Sequence, residues 1–243
     1  MYLKDYIWFL GAMIFCMLLS AIASSKVNSA FSKHNVKNLS RMTGYDTVVR
    51  LMRANDVYGI SIGRVPGKLS DHYNPTKKIV NLSESTFGND SVAAVAVAAH
   101  EMGHVLQKKK GYLFYNIRTA LVPIVNIGSK LAMPLVLIGL LIDWFTFVSD
   151  SNTGFYIALI GVALYGASFL FTFVTLPVEL DASRRAKKML LSEGVLEKSE
   201  IKGAEEVLSA AAFTYVAALL TSAVYFLRFL LRVLILFGRR NNR

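Results

Sequence analysis

Residues 92–107 have the sequence VAAVAVAAHEMGHVLQ. Its Ala-rich composition predicts an α-helix, and three capping candidates stand immediately before it, Asn89, Asp90 and Ser91. The apolar part that precedes the first histidine has eight residues, too few to cross a membrane. Lys108, Lys109 and Lys110 follow, so we expect this helix to lie at a membrane surface.

Residues 100–104 of that helix, HEMGH, form the pattern that carries chemistry. His100 and His104 lie one turn apart on one helix face, so both imidazoles can reach a single tetrahedral Zn²⁺. Glu101 can then act on water that the metal activates. The alternative is a pair of solvated histidines beside a basic cluster. Half of the chain's four histidines fall within these five residues, on a helix entered by an apolar run, which favours the zinc site.

The composition is that of an integral membrane protein. Hydrophobic residues make up 54% and charged residues 18% of the chain. The 27 basic and 16 acidic residues give a net charge of +11, which favours either nucleic acid or the anionic inner leaflet of a membrane. No basic residue lies between positions 131 and 183, so we expect membrane crossings there and no nucleic-acid partner. The single cysteine, Cys16, excludes an intrachain disulfide and a multi-cysteine metal site.

The apolar runs predict the organisation of the chain. We expect a mainly α-helical membrane protein with a small α+β cytoplasmic lobe. In chain order, the segments are an N-terminal transmembrane anchor (1–25), a cytoplasmic lobe with a hairpin and the two-histidine helix (26–110), a transmembrane hairpin (111–178), a cytoplasmic helix (179–206) and an apolar C-terminal segment (207–243). A cleaved signal peptide is the alternative for the first segment. The last segment either crosses the membrane or lies in its interface. A crossing would place the arginines that follow its apolar run outside, against the positive-inside rule: Arg228, Arg232, Arg239 and Arg240.

A catalytic zinc needs a third protein ligand and an open position. Metzincins would have Gly at position 107 and His at 110, so Gln107 and Lys110 exclude that class. Two predicted crossings separate His104 from Glu179, which therefore returns to the membrane face of the histidines. Asp143 and Asp150 also follow the histidines, but we expect them on the opposite side of the membrane. The remaining downstream acidic residues are Asp181 and five glutamates between positions 193 and 206.

Residues 41–83 predict a short helix followed by a hairpin. Thr43 and Asp46 resemble a capping box, and the apolar stripe after them ends near Asn55. Residues 60–62 and 77–82 alternate between apolar and polar side chains, with Asp71-His72-Tyr73 in the predicted turn between them.

Three segments resemble one family. Residues 69–75 (LSDHYNP), 91–107 and 175–185 (TLPVELDASRR) look like the YugP-type neutral zinc metallopeptidases of bacterial membranes, which are similar to the HtpX-type membrane proteases. The resemblance covers nearly the whole chain and implies Zn²⁺ as cofactor, with Glu179 as third ligand. HtpX-type enzymes carry Asp four residues after that glutamate, whereas this chain has Ser183, so the outer contacts of the ligands are in question. Asp181 lies about 200° round the helix from Glu179 and cannot simply replace that aspartate.

The resemblance also implies a substrate cleft bordered by the hairpin. An extended peptide would add as a strand along residues 77–82, and His72 or Tyr73 would donate a hydrogen bond to the oxyanion. The alternative is a turn in which Asp71 and Asn74 satisfy their own backbone. For Asp181 the alternative to a place near the metal is a solvated charge that pairs with Arg184 or Arg185.

Together these features predict a membrane-anchored zinc endopeptidase of the bacterial cell membrane, multi-pass, with its active site on the cytoplasmic side. His100, His104 and Glu179 would hold Zn²⁺, and Glu101 would move the proton. The expected partners are peptide or membrane-protein substrates and anionic membrane lipids. The alternatives are a catalytically silent zinc-containing membrane scaffold and, more weakly, a zinc-responsive transporter, which would need more polar residues inside its crossings.

Overall fold

The computed structural model describes residues 2–145 and 153–238. These residues form six helices and three strands: α1 (Tyr2–Lys33), α2 (Gly44–Ala54), β1 (Ser61–Val65), β2 (His72–Asn74), β3 (Ile79–Ser83), α3 (Val92–Lys109), α4 (Leu113–Phe145), α5 (Thr153–Ser192) and α6 (Ile201–Gly238). The expected mainly helical membrane protein with a small sheet is confirmed. Asp150, Arg239 and Arg240 lie outside the described residues, as does the side chain of Asp143.

Two helix starts follow the local sequence signals. At α2, the Thr43 hydroxyl accepts a hydrogen bond from the Asp46 N–H, and the Asp46 carboxylate accepts one from the Thr43 N–H, which confirms the capping box. At α3, Ser91 is the cap, and its hydroxyl accepts from the Ala94 N–H at 3.1 Å. The two-histidine helix therefore begins where its sequence predicts.

The sheet has the strand order β1-β3-β2 and differs from the expected hairpin. β1 and β3 pair in parallel, with Ser61 opposite Ile79, while β2 pairs antiparallel with β3, with Tyr73 opposite Val80. The expected pairing of residues 60–62 with 77–82 as a hairpin is therefore wrong in direction. Residues 72–74 turn back as a strand of their own, and an alternating pattern does not encode the direction of its partner strand.

The long helices are apolar on their outer surfaces. By length and composition, four of the described helices can cross a membrane, and in each of them only 11–22% of the most apolar window is buried inside the protein: Ile7–Lys33, Leu113–Ile142, Thr153–Ser192 and Ile201–Ile235. α5 runs without interruption through the boundary expected at residues 178 and 179, so Glu179 lies within this long helix. α6 likewise runs continuously through residue 207.

The chain forms two compact units. The apolar unit consists of Met1–Cys16, Asn116–Leu176 and Ala217–Arg243, and the mixed unit of Met17–Tyr115 and Pro177–Val216. The core of the apolar unit includes Val136, Val162 and Val233. The core of the mixed unit joins α2, β3, α3 and the end of α5 through side chains such as Leu51, Leu82, Met102 and Leu190. All residues of the site described below belong to the mixed unit.

Candidate metal centre

Helix α3 presents two histidines to the same side. The rings of His100 and His104 lie edge to face with their centroids 4.8 Å apart, as residues four positions apart on a helix should. His104 is buried and His100 partly buried. The apolar run that precedes them is fully packed into the core, from Val92 to Ala99 apart from Val97. The packing of this run fixes the rotation of α3 and hence the direction of both imidazoles.

Helix α5 brings a carboxylate to these two rings. Glu179 Oε2 lies 3.1 Å from His100 Nε2 and 3.6 Å from His104 Nε2. The Glu179 side chain is only 2% exposed, and a buried carboxylate requires a compensating positive charge or hydrogen bonds. The predicted topology put Glu179 on the membrane face of the histidines, and the family resemblance implied it as third ligand.

The three donors have the chemistry and spacing of a zinc site. Neighbouring ligand atoms around tetrahedral Zn²⁺ are about 3.3–3.4 Å apart, given bonds of about 2.0–2.1 Å to nitrogen and oxygen. The two distances to Glu179, 3.1 and 3.6 Å, lie on either side of that value. All three ligand atoms lie within 4.8 Å of one another. Two imidazoles and one carboxylate, with a further position for water, are the ligand set of catalytic rather than structural zinc.

A glycine allows α5 to come this close to α3. A Cβ built on Gly103 would lie 2.5 Å from the Ala182 carbonyl oxygen and 3.0 Å from its Cα. These are backbone atoms, so no side-chain rotation could relieve the contact. Gly103 stands between the two histidines, and Ala182 is three residues after Glu179. The helices therefore touch backbone to backbone beside the metal ligands.

Each histidine has a partner on its other ring nitrogen. His104 Nδ1 lies 3.0 Å from Gln107 Oε1, and His100 Nδ1 lies 3.2 Å from Ser183 Oγ. Gln107 in turn donates to the Val178 carbonyl at 2.8 Å and to the Asp181 carboxylate at 2.9 Å. From the sequence, Gln107 is only a departure from the metzincin pattern, and its contact with His104 is not predicted. Its spacing of three residues from His104, on the same helix face, was the available signal.

Asp181 is neither a ligand candidate by position nor merely a solvated charge. Its carboxylate accepts from the Arg185 guanidinium at 2.6 Å, as the ion-pair alternative expects, and also from Gln107. Ser183, which occupies the position of the HtpX-type aspartate, contacts His100 directly. The structure thus brings both residues to the outer side of the ligand histidines.

Glu101 lies beside the cluster with its carboxyl buried. The pKa of Glu101 is raised to about 7, chiefly by burial; His100 lowers this pKa, the negative charges of Glu179 and Asp71 raise it, and a hydrogen bond with the Tyr73 backbone lowers it. A carboxyl whose pKa is near neutrality can both accept and release a proton under physiological conditions.

The sheet places the two further sequence candidates next to the motif. β2 packs against α3, and Tyr73 is half-buried, with burial raising the pKa of its hydroxyl. His72 is exposed, and its ring nitrogens lie 3.0 Å from the Ser70 carbonyl and 3.0 Å from the Asn81 amide nitrogen. The carbonyl can only accept and the amide nitrogen only donates, so Nδ1 of His72 donates and Nε2 accepts. In this arrangement neither nitrogen has a proton to offer an oxyanion.

The expected peptide-binding strand needs a correction. β3, which contains most of residues 77–82, is the central strand, with β1 on one side and β2 on the other. Its backbone groups are already paired, so an extended peptide cannot add there. β2 is an outer strand and contacts α3, so it is the edge available beside Glu101. Tyr115, a buried aromatic residue that the sequence did not indicate, lies beside the motif. Its ring centroid is 6.3 Å from that of His104.

Comparisons with known proteins show which family this chain belongs to. Residues 9–234 match the model of a family described as "Putative neutral zinc metallopeptidase". The chain is 39% identical over 225 residues to a protein of Bacillus subtilis (strain 168) named "Putative membrane protease YugP", which covers 92% of this chain and 95% of that protein. No solved structure matches the chain. The family resemblance and the zinc cofactor expected from the sequence are thereby confirmed, and the chain belongs to the family of neutral zinc metallopeptidases.

Proposed function

We propose that this protein is a membrane-anchored zinc endopeptidase that hydrolyses peptide bonds of membrane-associated proteins near the cytoplasmic surface. The observation that carries the proposal is the convergence of His100, His104 and Glu179 beside the buried carboxyl of Glu101. A structural zinc site would be closed by a fourth protein ligand. Among the described residues, the group of ligating side chains has three members, which leaves a position for substrate and water.

In this proposal each residue has one task. His100, His104 and Glu179 would hold Zn²⁺, which supplies Lewis acidity toward the scissile carbonyl and water when bound. Glu101 takes the proton from the attacking water and passes it to the leaving amine. The outer strand β2 aligns an extended substrate by backbone hydrogen bonds. Both ring nitrogens of His72 are occupied by hydrogen bonds with Ser70 and Asn81, so its proposed part in catalysis is reduced to the support of β2, together with Tyr73.

The location of the site at the cytoplasmic face is supported by charge. Lys108, Lys109 and Lys110 at the end of α3 are exposed, as are Lys187 and Lys188 on α5, and basic residues are retained on the cytoplasmic side of membrane proteins. The same lysines would attract anionic lipids, which we include among the proposed partners. Cysteines at positions 110 and 150, in a Cys16→Ala background, test this topology. Position 150 should react with an impermeant reagent in intact cells, and position 110 only after permeabilisation; the reverse pattern would invert the proposed orientation.

The chemical test separates the base from the third ligand. Glu101→Gln removes the proton acceptor but no metal ligand, so zinc content should stay while cleavage of a membrane-tethered reporter falls by orders of magnitude. Glu179→Ala should lose both zinc and activity. Glu84→Gln, a change in an exposed glutamate of the same unit, is the matched control and should alter neither.

Three outcomes would contradict the proposal. If Glu101→Gln cleaves the reporter as the wild type does, Glu101 is not the base. If Glu179→Ala keeps its zinc, the third ligand is another residue. If the wild type binds zinc in its three-residue site and cleaves no peptide or membrane-protein reporter, the silent scaffold is the better description.

A further inference from the structure

Gln107 is held by a set of hydrogen bonds that leaves it one orientation. Its side chain is fully buried, and its amide nitrogen donates to the Val178 carbonyl at 2.8 Å and to Asp181 Oδ2 at 2.9 Å. The same Asp181 oxygen also accepts a hydrogen bond from Arg185 Nε at 2.6 Å. A backbone carbonyl and an ionised carboxylate can only accept hydrogen bonds. Turning the amide over would place its oxygen against two acceptors, so the NH₂ group must face them.

This orientation determines which nitrogen of His104 carries a proton. With the NH₂ group of Gln107 committed, its Oε1 faces His104 Nδ1 at 3.0 Å. An amide oxygen only accepts, so Nδ1 must be protonated for this contact to be a hydrogen bond. In a neutral imidazole Nε2 then carries the lone pair, and Nε2 is the atom that faces Glu179. Because the Glu179 carboxylate also only accepts, this lone pair would be directed to the metal position once a cation lies between the two atoms.

The other ligand histidine is held by a different kind of partner. His100 Nδ1 faces the hydroxyl of Ser183, which can donate as well as accept. That contact does not by itself select a tautomer. The Asp181 carboxylate is connected to His104 through the Gln107 amide. His100 has Ser183 as its partner instead.

We infer that Gln107, oriented by Asp181, is a positioning residue that fixes the ring and the tautomer of His104 for metal binding. The inference rests on the metal-holding role proposed above for His100, His104 and Glu179, and does not depend on the substrate. A carboxylate behind a histidine ligand normally acts on the imidazole directly; here an amide stands between them. The amide transmits the direction of the hydrogen bond without adding a second negative charge beside Glu179.

The first test reads the proton on His104 without any metal. The chain has four histidines, so ¹⁵N labelling of histidine in the full-length, zinc-free protein in detergent gives four pairs of ring signals. At about pH 8, above the ordinary imidazole pKa of about 6.5, a protonated Nδ1 on His104 supports the inference. An unprotonated Nδ1 on His104 would overturn it. In Gln107→Leu we expect the signals of His104 to lose this fixed pattern, and an unchanged pattern would also overturn it.

The second test measures zinc affinity by competition with a chelator. Gln107→Leu should weaken zinc binding about tenfold or more, the range seen when outer partners of ligands are removed. Asn38→Leu is the matched control, because Asn38 is an equally buried amide that donates to two carbonyls, of Met42 and Asp90, outside the metal site. It should lower the stability of the unit and leave zinc affinity unchanged. Equal zinc affinities in the two variants would overturn the positioning role.

A third variant tests the order of the contacts. Asp181→Ala removes one of the two acceptors that orient Gln107 and leaves the Val178 carbonyl, so the loss of zinc affinity should be smaller than in Gln107→Leu. A larger loss would mean that Asp181 acts on the metal by another route. If the wild type binds no zinc at all, the proposed function fails, while the ¹⁵N measurement on His104 still decides the assignment of Gln107.

Discussion

Replacement of Gly103 by alanine should widen the candidate metal centre where α3 contacts α5. The new Cβ would lie 2.5 Å from the Ala182 carbonyl oxygen, and real Cβ atoms essentially never approach closer than 3.0 Å, so α3 and α5 must separate locally by about 0.5 Å. The contacted atoms of Ala182 belong to the backbone, so no side-chain rotation can relieve the contact and the helices themselves must move. Zinc sites tolerate deviations of about 0.2 Å in ligand distances. A displacement of this size next to Glu179 exceeds that tolerance.

The magnitude on stability is a balance of two effects. Overpacking a buried contact costs about 1–3 kcal/mol, while alanine in place of glycine inside a helix contributes about 1 kcal/mol. The net loss of unfolding free energy should therefore be about 0–2 kcal/mol, which leaves the protein folded. Zinc affinity should fall more than stability does, by about tenfold or more, because the shift acts directly on the ligand that α5 supplies.

The assay is zinc affinity by chelator competition together with thermal unfolding of the zinc-free protein. Gly11→Ala is the matched control, because Gly11 is also helical and its Cβ would meet nothing within 4 Å. The control should be neutral or slightly stabilising and should bind zinc normally. If Gly103→Ala binds zinc as tightly as Gly11→Ala does, the close contact of the two helices is not what positions Glu179.

Three further changes test the support of the site. Asp71→Ala leaves the N–H and hydroxyl of the buried Ser83 without the carboxylate that accepts from both at 2.8 Å, so chemical denaturation should report a loss of about 1–3 kcal/mol; no loss would mean that water replaces the carboxylate. Ser91→Ala removes the cap of α3 and should cost about 1 kcal/mol in the same experiment, and an unchanged midpoint would show that the core alone defines the helix start. Zinc at a hundredfold excess over its dissociation constant should stabilise the wild type by about 2.7 kcal/mol, visible as a higher melting temperature than in chelator, whereas equal temperatures would contradict binding to the folded state.

The parts of the molecule that the sequence predicted correctly depend on residues close together in the chain. The capping box at Thr43, the cap at Ser91 and the apolar run before His100 are local patterns, and each has one structural outcome over a few residues. Glu179 is distant in sequence, but the count of crossings between it and His104 predicted that both lie at one membrane face and placed Asp143 and Asp150 on the other. That prediction came from the topology of the chain and not from a local sequence pattern.

The parts that the sequence did not predict are contacts between distant segments. The role of Gln107 depends on a carbonyl and a carboxylate 71 and 74 residues away, and neither acceptor has a recognisable spacing from it. The close approach at Gly103 depends on Ala182 in the same way. The parallel pairing of β1 with β3 depends on β2, which lies between them along the chain and reverses its direction, since two alternating runs alone are compatible with either direction.

If a substrate adds to β2 as proposed, the length of this strand limits how the protein can select it. Three residues of extended chain span about 10 Å, and the few backbone hydrogen bonds they offer contribute about 0.5–1.5 kcal/mol each. That is close to or below the 4.1 kcal/mol of a millimolar complex, so little affinity comes from the template itself. Confinement of enzyme and substrate to one bilayer raises their effective concentration without any new contact. The protein would then select substrate segments because they are unfolded and tethered nearby, and their amino-acid sequence would matter little.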